Sequence, residues 1–226
     1  MDMSPDRWKR TSNYLQEVFG HEDNQLRTLM PRAVAAGIPD IAISSDVGRL
    51  LTLLASMCGD GRGARTIIEV GTLAGYSTLW LARGLAPAGK LITIEIEPKH
   101  ATFAAAEFKK AGLADRIDQR LGPALEVIPQ LAKELGPSSI DLAFIDAVKT
   151  EYPAYFSHLK PMLRPGGLFL ADNILGSAEW WIDDPAGSNP NRDAVDTLNR
   201  LIAADPDFES AGIPIRQGIM LARKLR

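Results

Sequence analysis

The sequence predicts an α/β fold in which a doubly wound, mostly parallel seven-stranded sheet follows a group of N-terminal helices. Two observations predict it. From residue 66 onward, short runs rich in Ile, Val and Leu alternate with amphipathic helical segments, which is typical of a parallel sheet covered on both faces. Near the C-terminus, two strand candidates follow each other without an intervening helix. They therefore predict a hairpin at one sheet edge, with an antiparallel last strand.

The first third of the chain predicts three helices: residues 6–19, 24–36 and 45–57. In the third of them, apolar residues recur at helical spacing after a suitable N-cap, Ser44 or Ser45. A flexible, glycine-rich break over residues 59–63 separates these helices from the segments that follow.

After this break, strands and helices alternate. The predicted strands are residues 66–70, 91–95, 117–121, 140–145 and 167–171. The predicted helices between them are residues 77–85, 99–111, 124–135 and 152–163. A polar stretch, 176–191, leads to a helix over 192–203 and to the final strand candidates around Phe208 and at 218–222. Because no linker divides the chain, we expect one domain, 1–226, made of a helical region, 1–58, and a core, 64–226.

The composition is that of an ordinary globular protein without a basic surface for nucleic acid. The 226 residues carry a net charge of −3, and nucleic-acid binders usually have a basic stripe. Cys58 is the only cysteine, so an internal disulfide is impossible; we interpret it as a buried structural thiol in a reducing cytoplasm. The N-terminus lacks the pattern of a signal peptide, and no window has the ~18 apolar residues of a membrane span.

Two strand ends form a candidate nucleotide site. Gly71 and Gly75 follow the first strand of the predicted sheet, where glycine permits a tight turn and a close backbone approach to a ligand. The second strand ends in Glu95, which can accept two hydrogen bonds from a ribose. Thr72 and Leu73 follow Gly71, so the middle glycine of a dinucleotide fingerprint is missing. Its absence favours a nucleoside cofactor without phosphates.

Oxygen ligands follow the fourth and fifth strands. Asp146 comes directly after one strand, and Asp172 and Asn173 come after the other, so the three side chains can converge. Two carboxylates and an amide suit Mg²⁺, Mn²⁺ or Ca²⁺. Each residue alone also fits an ordinary cap or turn, and a lone Lys149 is usually a solvated surface residue. The conjunction of both strand ends with Lys149 favours a metal site with an adjacent base.

These motifs resemble those of the metal-dependent catechol and caffeoyl-CoA type O-methyltransferases, within the class I methyltransferases. The similarity runs from about residue 43 to the C-terminus. The matching segments are 67–77 at the first strand, 93–98 at the second, 122–124, Asp146-Ala147-Val148-Lys149, 163–173 and 218–224. The resemblance implies a Rossmann-like fold, S-adenosylmethionine as cofactor, a divalent metal, a phenolic small-molecule substrate and a homodimer that uses the N-terminal helices.

The resemblance also implies roles for the matched positions. Glu69, Gly71 and Ser77 would hold the methionine part of the cofactor, and Glu95 its ribose. The cofactor site would further include Leu73, Gly122 and Ala124, the last two near adenine, and Asp146. Asp146, Asp172 and Asn173 would bind the metal, with Mg²⁺ as the first choice, and Lys149 would be the general base.

The sequence departs from the family pattern in two places. Val148 stands where family members often carry Asp, so a contact on the adenine side or behind the metal ligands is in doubt. The stretch 176–191, with Trp180 and Trp181, does not match closely. If exposed, these tryptophans would either stack on a flat substrate or pack in a dimer contact.

The sequence therefore predicts transfer of a methyl group from S-adenosylmethionine to a hydroxyl of a catechol-like acceptor. Free catechols, coenzyme A esters, polyphenols and natural-product intermediates all stay open as acceptors. Three alternatives remain. They are a metal-independent methyltransferase acting on another acceptor such as an amine, a nicotinamide-dependent oxidoreductase, disfavoured by the missing glycine, and a non-catalytic cofactor-binding module, disfavoured by the metal-plus-base set.

Overall fold

The computed structural model describes residues 4–176, 181 and 184–226, and it builds them around one mixed sheet. The strands are β1 Ala64–Val70, β2 Leu85–Glu95, β3 Ile117–Leu121, β4 Ile140–Ile145, β5 Leu163–Asp172, β6 Phe208–Ile213 and β7 Ile219–Lys224. The helices are α1 Pro5–Phe19, α2 Asn24–Ala35, α3 Ser45–Gly61, α4 Tyr76–Ala82, α5 Pro98–Lys110, α6 Ala124–Leu135, α7 Tyr152–Leu159 and α8 Pro190–Ala204, with a short 3₁₀ turn at Lys149–Glu151.

The strand order is β3-β2-β1-β4-β5-β7-β6, which confirms the predicted doubly wound sheet. Strands β1 to β5 pair in parallel, whereas β7 is antiparallel to both β5 and β6. The order reverses between β1 and β4, and in such sheets the crevice beyond the carboxyl ends at this point is where ligands bind. The ends of β1, β2, β4 and β5 therefore define the region in which a site is expected.

Alternate residues of each strand enter two separate cores, one on each face of the sheet. Ile67 belongs to the core that includes residues of α2, α3, α4 and α5, and its neighbour Ile68 belongs to the core that includes residues of α6, α7 and α8. Both side chains are fully buried. This is why the strands are apolar on both sides, and each such side chain contributes about 1.5–3 kcal/mol on leaving water.

Two predicted helix ends were wrong. The helix expected over residues 77–85 ends at Ala82, because Leu85 is the first residue of β2 and pairs with Ala64 of β1. The helix expected over 152–163 ends at Leu159, because Leu163 is the first residue of β5 and pairs with Ile140 of β4. In both places an apolar residue that fits the helical pattern belongs to a strand, because it pairs with a neighbouring strand of the sheet.

The third predicted helix holds to its predicted end. Cys58, Gly59 and Asp60 have non-helical backbone angles, so the regular helix stops after Met57. Ser44 is its N-cap, although its side chain makes no capping hydrogen bond. Cys58 is buried, as predicted, and burial raises the pKa of its thiol to about 12. No helix in the described part of the chain has both the length and the apolar character that a membrane crossing needs. The division of the chain into domain regions stays a prediction.

Candidate active site

The turn after β1 approaches the end of β4 so closely that only glycine fits at its first position. Gly71 has a φ of +100°, and a Cβ atom there would lie 2.1 Å from the backbone carbonyl oxygen of Asp146. Gly75, with a φ of +85°, leaves room in the same way for the ring of Phe108 on α5. The glycines expected from the sequence thus set the loop tightly against the neighbouring strand end and against α5.

Glu69 lies beneath this loop and is fully buried. Its carboxylate accepts hydrogen bonds from the hydroxyls of Ser77 at 2.6 Å, Thr93 at 2.7 Å and Thr78. Burial raises its pKa to about 7, and these hydroxyls oppose the rise. Thr72 hydrogen-bonds the Thr93 hydroxyl at 2.6 Å. Glu69 therefore holds the start of α4 and the loop in place, and its predicted direct contact with the cofactor stays a prediction.

Glu95, at the end of β2, organises the same loop from the other side. Its Oε2 accepts hydrogen bonds from the backbone N–H groups of Thr72 at 3.1 Å and Leu73 at 2.7 Å. Its Oε1 accepts one from Glu97 N–H at 2.9 Å. Leu73 adopts a left-handed φ of +49°, which turns the loop back over the strand end. A carboxylate offers about four lone pairs, and the backbone N–H groups use three of them, so Glu95 keeps capacity for about one ribose hydroxyl and not for the expected two. His100 Nδ1 also lies 3.5 Å from Oε1.

The third strand end joins this group through the backbone. Gly122 N–H donates to the carbonyl oxygen of Glu95 at 2.8 Å, and Ala124 begins α6 two residues later. The residues predicted to hold the cofactor thus lie at the carboxyl ends of four adjacent strands, β3, β2, β1 and β4. The structure brings them together at the place where a nucleoside ligand of this fold type is expected.

The ends of β4 and β5 bring the predicted metal ligands together. Ile145 pairs with Ala171 across the two strands, so Asp146, directly after β4, lies beside Asp172, the last residue of β5. Burial and the negative charge of Asp146 raise the pKa of Asp172 to about 7. Asn173 follows with a left-handed φ of +65°, and its N–H donates to Asp172 Oδ1 at 2.8 Å.

Two cations lie against these carboxylates. Lys149 Nζ is 2.7 Å from Asp146 Oδ1 and also donates to the hydroxyl of Tyr152 at 2.6 Å. Arg216, which comes from the hairpin between β6 and β7, donates to Asp172 Oδ2 at 3.0 Å. Sequence reasoning found Lys149 but missed both Tyr152 and Arg216.

The donor set has the chemistry that a hard divalent cation requires. The side-chain oxygen of Asn173 and Asp146 Oδ2 make no hydrogen bond within the described residues, and both belong to oxygen donors of the kind Mg²⁺ prefers. Larger clusters are absent: in the described ranges, no three His, Cys, Asp or Glu side chains are grouped to hold a metal. A cation here would therefore depend on two carboxylates and one amide.

The two roles expected of exposed tryptophans do not apply to Trp181, which is buried. Trp181 donates its backbone N–H to the backbone carbonyl oxygen of Leu175 at 2.9 Å. With Ile174 and Leu175, which directly follow Asn173, it lines a cavity of about 210 Å³ beside α8. Trp180 lies outside the described residues.

Comparison with known proteins identifies the family. Residues 16–225 match the family described as O-methyltransferase. The chain belongs to this family. It is 36% identical over 220 residues to a catechol O-methyltransferase of Niastella koreensis, covering 95% of this chain and 96% of that protein. It is 35% identical over 187 residues to a caffeoyl-CoA O-methyltransferase of Eucalyptus gunnii, covering 81% and 74%.

A solved structure agrees with these sequence relatives. The O-methyltransferase from Bacillus cereus in complex with SAH, the demethylated form of S-adenosylmethionine, superimposes with a TM-score of 0.86 and 32% identity. The match covers 97% of this chain and 99% of the other. The resemblance stated from the motifs is thereby confirmed: this chain is an S-adenosylmethionine-dependent O-methyltransferase, and the oxidoreductase and the non-catalytic module are set aside.

The hydroxyls of Thr78 and Thr93 beside Glu69 were missed by sequence reasoning, which named only Ser77 of the three. Thr93 lies within a strand, where threonine is common for its backbone preference alone, and Thr78 lies within α4. Their further role is visible only beside the fully buried Glu69, to which both hydroxyls donate. A buried carboxylate requires several hydrogen-bond donors, so a glutamate within an apolar strand is the sequence signal that hydroxyls lie nearby.

Proposed function

We propose that this O-methyltransferase methylates one hydroxyl of a catechol-like acceptor with the help of a divalent cation, Mg²⁺ first, with Mn²⁺ and Ca²⁺ as alternatives. One observation carries the proposal. The oxygens of Asp146, Asp172 and Asn173 and the ammonium of Lys149 lie together at two neighbouring strand ends, directly beside the Gly71 turn. The catechol and caffeoyl-CoA relatives support the choice of acceptor.

The ends of β1 to β4 would hold S-adenosylmethionine. Gly71, Leu73 and Ser77 supply the loop, Glu95 a carboxylate for the ribose, and Gly122 and Ala124 the wall at the end of β3. The cofactor supplies an electrophilic methyl group on a positively charged sulfur. The protein contributes position, since holding the two reacting atoms near attack distance removes much of the entropic barrier.

Asp146, Asp172 and Asn173 would hold the divalent cation. When bound, such a cation supplies Lewis acidity to a vicinal diol, which lowers the pKa of the reacting hydroxyl. Because these donors lie beside the Gly71 turn that would hold the cofactor, they would fix the acceptor next to it. This arrangement explains why a vicinal diol is the acceptor that we propose.

Lys149 would act on the acceptor hydroxyl in one of two protonation states. As a neutral amine it would take the proton of the hydroxyl, and as an ammonium it would stabilise the oxyanion by donating a hydrogen bond. The side chain is only 12% exposed, and the ion pair with Asp146 and the bond to Tyr152 fix Nζ. An ammonium has three N–H donors, and these two partners use two of them. The third can donate to a substrate oxygen, and such a fixed charge is most effective where water is excluded.

Methyl transfer that needs no added metal is the second candidate. One observation favours it: Lys149 and Arg216 already give each of the two carboxylates a positive partner. In that case the acceptor would be fixed by the protein alone, and it need not be a vicinal diol.

The first experiment is methyl transfer from S-adenosylmethionine to a panel of catechols, with Mg²⁺ and with EDTA. We expect product with Mg²⁺ and a loss of at least about 100-fold in EDTA, since removing a Lewis acid costs several kcal/mol of barrier. Product that persists in EDTA would contradict the metal-dependent function and select the second candidate. Binding of SAH, measured by calorimetry, is the control, and we expect it in both conditions.

We further propose that the protein is a homodimer and that it works in the cytoplasm. The N-terminal helices expose large apolar side chains for which a partner surface is a natural cover: Tyr14 and Phe19 on α1, and Leu53 and Met57 on α3. The single buried thiol suits a reducing compartment. Light scattering of the purified protein should give twice the 24.5 kDa chain mass. Fractionation of the source cells tests the location.

A further inference from the structure

The backbone of the turn between β6 and β7 holds Arg216 beside Asp172, at the carboxyl end of β5. Arg216 has a left-handed φ of +49°, and Gly218 N–H closes the turn on the carbonyl oxygen of Ile215 at 2.8 Å. The segment after Asn173 is hydrogen-bonded to the same turn, since Leu175 N–H donates to Gln217 O at 2.9 Å. The turn is therefore fixed relative to Asp172, and Arg216 is not free to move away as part of a loose loop.

The guanidinium of Arg216 is hydrogen-bonded to one of the two Asp172 oxygens that the proposed metal could use. Asp172 is fully buried, its Oδ1 accepts from Asn173 N–H at 2.8 Å, and its Oδ2 accepts from Arg216 at 3.0 Å. Lys149 gives Asp146 a positive partner in the same way. When both carboxylates are ionised, their two negative charges are balanced by Lys149 and Arg216, so the charge that would attract a divalent cation is already compensated.

We propose that Arg216 is an internal competitor of the divalent cation and sets how tightly this enzyme binds it. The inference rests on the proposed metal site and adds a residue to it. A cation bound to Asp172 Oδ2 would lie within a few ångströms of the guanidinium, so repulsion between the two positive groups would favour displacement of Arg216 from that oxygen. The Arg216 side chain is 25% exposed, so solvent is within its reach when it leaves. Metal binding and displacement of Arg216 are then one linked event.

Removing the guanidinium should strengthen metal binding even when neither cofactor nor substrate is present. The measurement is titration of the cofactor-free protein with Mn²⁺, read as free Mn²⁺ by electron paramagnetic resonance. We expect Arg216→Gln to bind Mn²⁺ about tenfold to a hundredfold more tightly than the wild type. That is the size of one lost charge-assisted hydrogen bond converted to affinity.

Two further variants keep the test sharp. Arg216→Gly also removes the guanidinium, and glycine accepts the left-handed φ without strain, so it guards against poor folding of the first variant. Arg226→Gln removes an arginine that pairs with Asp207 at the C-terminus, and it should leave Mn²⁺ affinity unchanged. SAH binding by calorimetry selects the variants that are folded.

The outcomes separate this inference from the proposed function. Tighter Mn²⁺ binding in the folded glutamine or glycine variant, including binding that the wild type lacks, supports the competition. Equal affinity in wild type and variants overturns it and leaves the metal site standing. Absence of Mn²⁺ binding in all of them overturns both this inference and the metal site, while methyl transfer in EDTA decides separately whether the catalytic proposal survives without metal.

Discussion

Replacement of Asp146 by alanine is expected to reduce methyl transfer by at least about 1,000-fold and to leave SAH binding within a few fold of the wild type. The variant would remove one of two carboxylates from the proposed metal site, and it would also leave Lys149 without its ion-pair partner at 2.7 Å. Most of the cofactor contacts expected at β1, β2 and β3 do not involve this side chain. Turnover measured by product formation and SAH binding measured by calorimetry are the two readings.

The control for this prediction is an aspartate of similar chemistry without a place in the site. Asp118 lies on β3 and pairs with Arg120 at the surface, so Asp118→Ala should keep wild-type turnover. Asp146→Asn keeps the shape of the side chain and removes its charge, and it should lose nearly as much activity as the alanine variant. Wild-type turnover in Asp146→Ala would refute the assignment of Asp146 to the metal site.

The order of elements was accessible from sequence because each strand is short, apolar and followed by a helix of different periodicity. The bounds of β3, β4 and α6 agree with those expected from the pattern alone. The ends of α4 and α7 did not, because Leu85 and Leu163 are apolar residues that suit either element. Only the choice of a strand partner distinguishes the two, and that choice depends on residues distant in the chain.

In the candidate site, too, some residues could be predicted from the sequence and others could not. Asp146, Asp172 and Glu95 could be found because a parallel sheet places its carboxyl ends at one edge, so position in the chain gives position in space. Arg216 could not be found, because it reaches Asp172 across 44 residues of sequence through a hairpin whose turn has no catalytic signature. The position of Arg216 depends on the register of the β6–β7 hairpin against β5, and the pattern of apolar residues does not specify that register.

Lys149 gives the second large effect. We expect Lys149→Met to lower kcat by about 100-fold to 10,000-fold, the usual range for a positioned acid–base group, with little change in the KM for S-adenosylmethionine. The reason is the placement of Nζ, which contacts Asp146 at the end of β4 and the hydroxyl of Tyr152. That hydroxyl in turn donates to the backbone carbonyl of Asp172 at 3.2 Å, so the ammonium is fixed between the two strand ends.

Lys149→Arg separates the two roles that the proposal leaves to this residue. An arginine keeps the positive charge but does not give up its proton, so it can stabilise an oxyanion and cannot take a proton from the hydroxyl. Activity retained in Lys149→Arg and lost in Lys149→Met would assign oxyanion stabilisation. Loss in both would assign proton removal, and an acceptor that is already ionised at the assay pH should then restore turnover. Lys109→Met, at an exposed lysine of α5, is the matched control and should behave as wild type. Full activity in Lys149→Met would remove Lys149 from the mechanism, and the Lewis acid would then be the remaining means of activating the hydroxyl.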